Sequence, residues 1–224
     1  MRVVIFGASG MIGHGVLRAC LLDPQVDSIL LVVRRLLDVD DPKVRQVVHA
    51  DFTDFAAIQG EFENLDACFY CAGASSTGLR EEEYARITHD HPLAAANAVS
   101  AANQSLTFTF VSGEGVSESS RSMWARVLGR TENALLAMPF DAHVFRPAYI
   151  RPRNGALPRS SAYRLIYRLT SWLYPVLHRL APAHTTTTEH LGRAMIAVAR
   201  SQGSAPAVLH SPDINRLGAV VRGR

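Results

Sequence analysis

The sequence predicts an α/β fold, a parallel sheet doubly wound by helices on both faces, and three observations carry that prediction. Short apolar runs alternate with helical patterns from one end of the chain to the other, as a sheet covered on both faces requires. The first run, Val3 to Phe6, leads straight into glycines spaced G-x-x-G-x-x-G, at Gly7, Gly10 and Gly13, and then into a helix. The 224 residues, 48% of them hydrophobic, are enough for one well-buried domain, so no second domain of independent function is expected.

Taken in order, strands are expected near 2–6, 28–33, 44–49, 66–71, 106–112, 142–146 and 206–209. Helices are expected near 11–22, 54–61, 80–102, 120–137, 160–180 and 188–200. The opening strand and helix take their boundary from the glycines. Gly7 lets the chain turn sharply off the strand, Gly10 lets backbone approach a phosphate, and Gly13 lets the helix sit against the sheet. Ser9, Met11 and Ile12 share the helix N-terminus, whose N–H groups and positive end suit a dinucleotide pyrophosphate. The domain is therefore Rossmann-type, spanning 1–224. The last long helix has its own start signal, since Thr186-Thr187-Thr188-Glu189 supplies hydroxyls and an acid ahead of an apolar run. Arg151 to Arg159 is a Pro/Gly loop after the sixth strand, at the end of the sheet where ligands lie. Tyr163 to Leu180 carries an amphipathic stripe broken by Pro175. It is expected to pack as a helix, with 150–185 forming a small substrate-side lid, rather than to lie on a membrane or a partner.

Composition narrows the function. Net charge is +3 and interrupted by acids, which does not indicate nucleic acid. The first strand begins almost at Met1, and no apolar run approaches the ~20 residues that span a bilayer, so a cytoplasmic protein is expected. Cys20, Cys68 and Cys71 show no metal or disulfide pattern; Cys68 and Cys71 lie three apart on one strand and point to opposite faces. Of 23 basic residues 22 are arginine, so a mechanism that needs a lysine must use Lys43.

Where an NAD-selective chain places an acid after the second strand, this one has Arg34 and Arg35, which suit a 2′-phosphate and favour NADP over NAD. Asp51 and Phe52 follow the third strand. The carboxylate either accepts from the adenine amino group or caps the next helix, and the ring covers the base. Cys71-Ala72-Gly73-Ala74 ends the fourth strand with small residues, as needed where backbone passes the ribose and nicotinamide.

With these pieces, Phe110-Val111-Ser112, Phe145-Arg146-Pro147-Ala148 and Thr187 to Met195, the chain resembles the atypical branch of the short-chain dehydrogenase/reductase superfamily. Within it, the likeness is to Tat-interacting-protein-like and nucleoside-diphosphate-sugar-epimerase-like proteins. The resemblance covers nearly the whole chain and implies an oxidoreductase or epimerase acting on a small carbonyl or sugar-like substrate. It also implies a serine at the end of the fifth strand, a Tyr-x-x-x-Lys pair on the next helix, and backbone at Pro147 near the nicotinamide. Ser112 fits, but the Tyr and Lys positions fall on Trp124 and Leu128, which can neither transfer a proton nor supply charge. Trp124, Leu128, Thr131 and Leu135 share helical spacing and read as a stripe facing the core or a pocket. Arg126 and Arg130 sit about 200° around the helix from Leu128 and point away.

Tyr149 is a candidate acid or a packing residue, Glu114 a candidate base or an exposed loop residue, and His89 and His91 read as solvated or capping. Two function classes follow. One is an NADP(H)-dependent enzyme using Ser112 with Tyr149 or water; the other is a non-catalytic NADP(H) sensor that reports to a protein partner.

Overall fold

The computed structural model describes residues 1–153, 184–201 and 203–219. The expected helix at 160–180, its stripe and most of the lid lie outside them.

The described chain runs β1 (Arg2–Phe6), α1 (Met11–Leu22), β2 (Ser28–Val33), β3 (Val44–Val48), a 3-10 helix (Ala56–Phe62) and β4 (Ala67–Tyr70). It continues through α2 (Glu81–Ala85), a π turn (Arg86–Asp90), α3 (His91–Ala101), β5 (Thr107–Val111) and α4 (Met123–Leu136). Then come β6 (Asp141–Arg146), β7 (Tyr149–Arg151), β8 (Thr185–Thr187), α5 (Thr188–Arg200), β9 (Val208–His210) and α6 (Ser211–Gly218). Seven strands form one parallel sheet in the order β3-β2-β1-β4-β5-β6-β9, which places the turn of strand order between β1 and β4. That reversal opens a crevice at the carboxyl edge.

Alternation along each strand builds two cores. Val3, Ile5, Ile29, Leu31 and Phe69 face α1 and α5, while Val4, Phe6, Leu30, Cys68 and Tyr70 face α3 and Leu135 of α4. Cys68 lies in the second core and Cys71 against the first, on opposite faces as their spacing predicts. Helices α1 and α5 meet through glycine. A Cβ on Gly15 would stand 2.5 Å from Thr188 Cβ, and one on Gly192 would stand 2.7 Å from Ala19 Cβ. Thr187 caps α5 by accepting the His190 N–H at 3.0 Å, and Glu189 pairs with Arg193 at 2.6 Å. The sole lysine, Lys43, donates to the Asp23 carbonyl at 3.0 Å and to that of Leu21 at 3.4 Å, at the carboxyl end of α1.

Three elements differ from the sequence reading. The 54–61 helix is a 3-10 helix, kinked at Ile58, which has φ −124° and ψ 17°. The single helix at 80–102 is broken by the π turn, because Pro92 has no N–H for the bond four residues back and its ring collides with that carbonyl. A separate parallel pair, β7 with β8, and the short helix α6 complete the carboxyl edge.

Candidate dinucleotide site

The glycine loop divides its three residues between two tasks. Gly7 turns the chain at φ +83°, and a Cβ there would meet the Ala72 nitrogen at 2.5 Å. A Cβ on Gly13 would stand 2.1 Å from the Gly7 carbonyl oxygen. Both glycines are demanded by the protein itself. Gly10 has ordinary extended angles, φ −86° and ψ 166°, and an added Cβ would meet only the Gly7 oxygen, at 3.3 Å. Its smallness serves whatever lies above it. The bond from the His14 N–H to the Gly10 carbonyl, 2.8 Å, opens α1, so the N–H groups of the first turn point out of the helix at its positive end.

A cleft of about 350 Å³ opens above this loop, a size suited to a small-molecule ligand. Of the residues expected from sequence, Gly7, Ser9, Gly10, Arg34, Phe52, Cys71, Ala72 and Gly73 line it. Met11 and Ile12 are half-buried in the first turn of α1 and Gly13 is buried behind them. Arg35 and Asp51 are exposed and are not on its wall. One Asp51 oxygen accepts the Thr53 N–H at 2.9 Å and the Thr53 hydroxyl at 2.6 Å; these bonds hold the carboxyl below its usual range. The N-cap of the following 3-10 helix is Phe55 and not Asp51; Asp54, one residue earlier, accepts the Ala56 N–H at 2.8 Å. Besides residues next to the expected ones, such as Val33, Ala50 and Tyr70, the wall holds Ile87 and His91, carried in from the π turn and the start of α3, which the sequence reading did not place there. His91 was read as solvated or capping. It is half-buried, its ring 6.0 Å from that of Phe52, and burial followed by the Arg86 charge holds its pKa down. Burial pushes the Cys71 thiol well above the ordinary thiol value, so it is an uncharged wall residue.

Beyond the cleft, Ser112 closes β5, its N–H donating to the Phe145 carbonyl at 2.8 Å. Its hydroxyl oxygen is buried and has no partner among the described residues. Pro147 is buried beside it, and its carbonyl accepts the Glu114 N–H at 3.3 Å. The Glu114 carboxylate turns to His210 Nδ1, 3.2 Å away. Tyr149 is half-buried in β7. On α4, Trp124 is 38% exposed, Leu128 is half-buried against the second core, and Thr131 and Leu135 are buried. The expected inward stripe therefore holds from Leu128 onward and not at Trp124, one turn nearer the helix start. Arg126 points away as its spacing predicts and donates to Glu81 on α2 at 2.6 Å. One further pair was missed: Glu132, 1% exposed, receives the Arg146 guanidinium, whose Nε lies 3.1 Å from each carboxylate oxygen. It ties α4 to the end of β6. Among the described residues no cluster of ligands could hold a metal ion.

Comparison with known proteins agrees with this architecture. The NAD dependent epimerase/dehydratase family model matches residues 3–133. The chain is 26% identical over 230 residues to Protein fmp52-2, mitochondrial, of Neosartorya fischeri, across 96% of this chain and 94% of that protein. It is 26% identical over 151 residues to Protein HTATIP2 of Rattus norvegicus, across 66% of this chain and 62% of that one. Its fold is similar to that of an oxidoreductase of the short chain dehydrogenase/reductase family from Burkholderia thailandensis, with TM-score 0.71, 18% identity, and 92% and 89% of the two chains covered. These relatives correct the cytoplasmic expectation, since the one matched along nearly its whole length is named mitochondrial. No described helix is long and apolar enough to cross a membrane, but that separates no soluble compartment from another.

Proposed function

The chain belongs to the NAD dependent epimerase/dehydratase family, and on that footing we propose that it binds NADP(H) and presents it to a small carbonyl or sugar-like substrate held by Ser112. The observation that carries this reading is the buried Ser112 hydroxyl at the end of β5, which has no partner among the described residues. A buried hydroxyl without a partner costs about 1–3 kcal/mol, a cost that a substrate carbonyl accepting its hydrogen bond would remove. Gly7 to Gly13 would cradle the pyrophosphate, Arg34 would take the 2′-phosphate, Phe52 would cover the base, and Cys71 to Gly73 with Pro147 would flank the ribose and nicotinamide. The cofactor, when bound, supplies or accepts the hydride. With Trp124 and Leu128 on the positions of the acid pair, the proton comes from Tyr149 or water, which makes the chemistry slow. A second reading, a non-catalytic NADP(H) sensor that reports to a protein partner, is favoured by Trp124, a large aromatic exposed where the acid would stand.

Calorimetry with NADPH and NADH, beside NADPH consumption against aldehydes, ketones and quinones, tests both. Micromolar NADPH binding that exceeds NADH binding is expected, with turnover near background that falls further in Ser112→Ala or Tyr149→Phe. Equal affinity for the two cofactors sinks the NADP assignment. Rapid turnover retained in both variants places the chemistry elsewhere, and no turnover with intact binding leaves the sensor.

A further inference from the structure

Pro92 forces the π turn at Arg86–Asp90, and the wall of the nucleotide cleft is built on the consequence. Across that turn Ile87 and His91 both line the cleft that Arg34 and Phe52 line as well, and the His91 ring stands 6.0 Å from that of Phe52. The charged groups around the His91 ring are Arg86 and Asp90 from its own segment, Arg34 after β2 and Asp51 after β3. A further titratable group near Phe52 is His49, whose ring centroid is 6.3 Å from that of Phe52. Asp51 is held by Thr53. With no ligand, Arg86 disfavours a proton on His91, and so does burial. A dianion brought to Arg34 reverses that balance, because an opposite charge nearby favours the imidazolium.

We infer that His91 is a second cationic arm for the adenosine 2′-phosphate beside Arg34, engaged only when its ring is protonated, so that preference for NADPH over NADH grows as pH falls. The inference rests on the NADP(H) reading above. NADH lacks the phosphate, so its affinity does not follow the charge on His91. Binding NADPH takes up a proton on the ring. The sign follows from the direction of the His91 shift: the ring is neutral in the unliganded protein down to below its ordinary value of 6.5, and the phosphate raises it. A phosphate monoester also titrates near pH 6 and loses charge in the same range, so only the difference between wild type and a His91 variant isolates the ring.

The test is calorimetry of NADPH and NADH with wild type, His91→Phe and His91→Gln at about pH 6 and about pH 8. NADPH affinity should fall about tenfold in both variants near pH 6 and no more than about twofold near pH 8, while any change in NADH affinity, which a residue of the cleft wall can bring, is the same at the two pH values. NADH binding also reports that each variant is folded. An NADPH loss equal at the two pH values, a pH-dependent loss that NADH shares, or no loss at all overturns the inference and leaves His91 a packing residue. Failure of the underlying reading is separate: wild type alone would bind NADPH and NADH equally at both pH values, and the inference would fall with it.

Discussion

Alanine at Gly10 and alanine at Gly13 should part company, although the two glycines stand three residues apart in one loop. At Gly10 the angles φ −86° and ψ 166° suit any residue, and the added methyl meets a single atom at 3.3 Å, so a shift of a few tenths of an ångström absorbs it. Gly10 is also the N-cap of α1, a position that alanine fills less well than glycine, by about 0.5–1 kcal/mol. The cost to folding should stay below about 1 kcal/mol, a loss of roughly 2–4 °C in a chain of this size. At Gly13 the methyl would stand 2.1 Å from the Gly7 oxygen, 2.6 Å from the Gly7 carbonyl carbon and 2.8 Å from Ala8 Cα. All three are backbone atoms, so α1 must move by about an ångström off the sheet, for which roughly 3 kcal/mol or more is expected. Thermal unfolding followed by circular dichroism, with NADPH calorimetry on each variant, separates the two effects. Gly10→Ala should melt near wild type and bind NADPH at least tenfold more weakly; Gly13→Ala should melt about 10 °C lower or fail to fold. A Gly10→Ala protein with native NADPH affinity would show that no phosphate lies above that residue, and the loop would then be a structural turn.

Arg146→Ala leaves the buried Glu132 carboxylate without its guanidinium at the end of β6, and about 3–5 kcal/mol of stability should be lost, whereas a surface pair would lose under about 1; urea unfolding measures it, and a loss below 1 kcal/mol means the carboxylate is solvated in the variant. The acid side of the stability curve should depend on Arg126, whose hydrogen bond holds the Glu81 carboxyl below its ordinary value of 4.5. The contribution is present above pH 4.5 and is lost as pH falls through the depressed value, so Arg126→Ala should lower stability at neutral pH and lessen the fall below 4.5. Parallel wild-type and variant curves across that range would count against the link.

What the sequence disclosed was local, and what it withheld was made by distant contacts. The strand-loop-helix at Val3 to Gly13, the arginine after β2, Phe52, and the small residues from Cys71 to Gly73 all sit at strand ends, so locating the strands located them. Ile87 and His91 reach the cleft only through a π turn, and a helical pattern through 80–102 conceals that turn even though Pro92 stands in plain view. Glu114, read as a candidate base or an exposed loop residue, is exposed, and what stays hidden in the sequence is its partner His210, 96 positions away. Likewise β7 and β8 are three residues each and pair across the interval between 151 and 185, so neither has a periodicity to read. Helix α6 did have a signal, Ser211-Pro212-Asp213, with proline in the first turn and an acid after it.

The close seating of α1 on α5 also bears on how the protein is made. Met11 to Leu22 leave the ribosome well ahead of Thr188 and Gly192, the residues that Gly15 and Ala19 meet. Until that late segment emerges, the apolar side of β1, β2 and α1 that it covers stays open to water. With synthesis at roughly 5–20 residues per second, the exposure lasts on the order of ten seconds or more. The growing chain presents that apolar surface throughout the interval, and truncation before residue 188 should leave a polypeptide prone to aggregate rather than a smaller working domain.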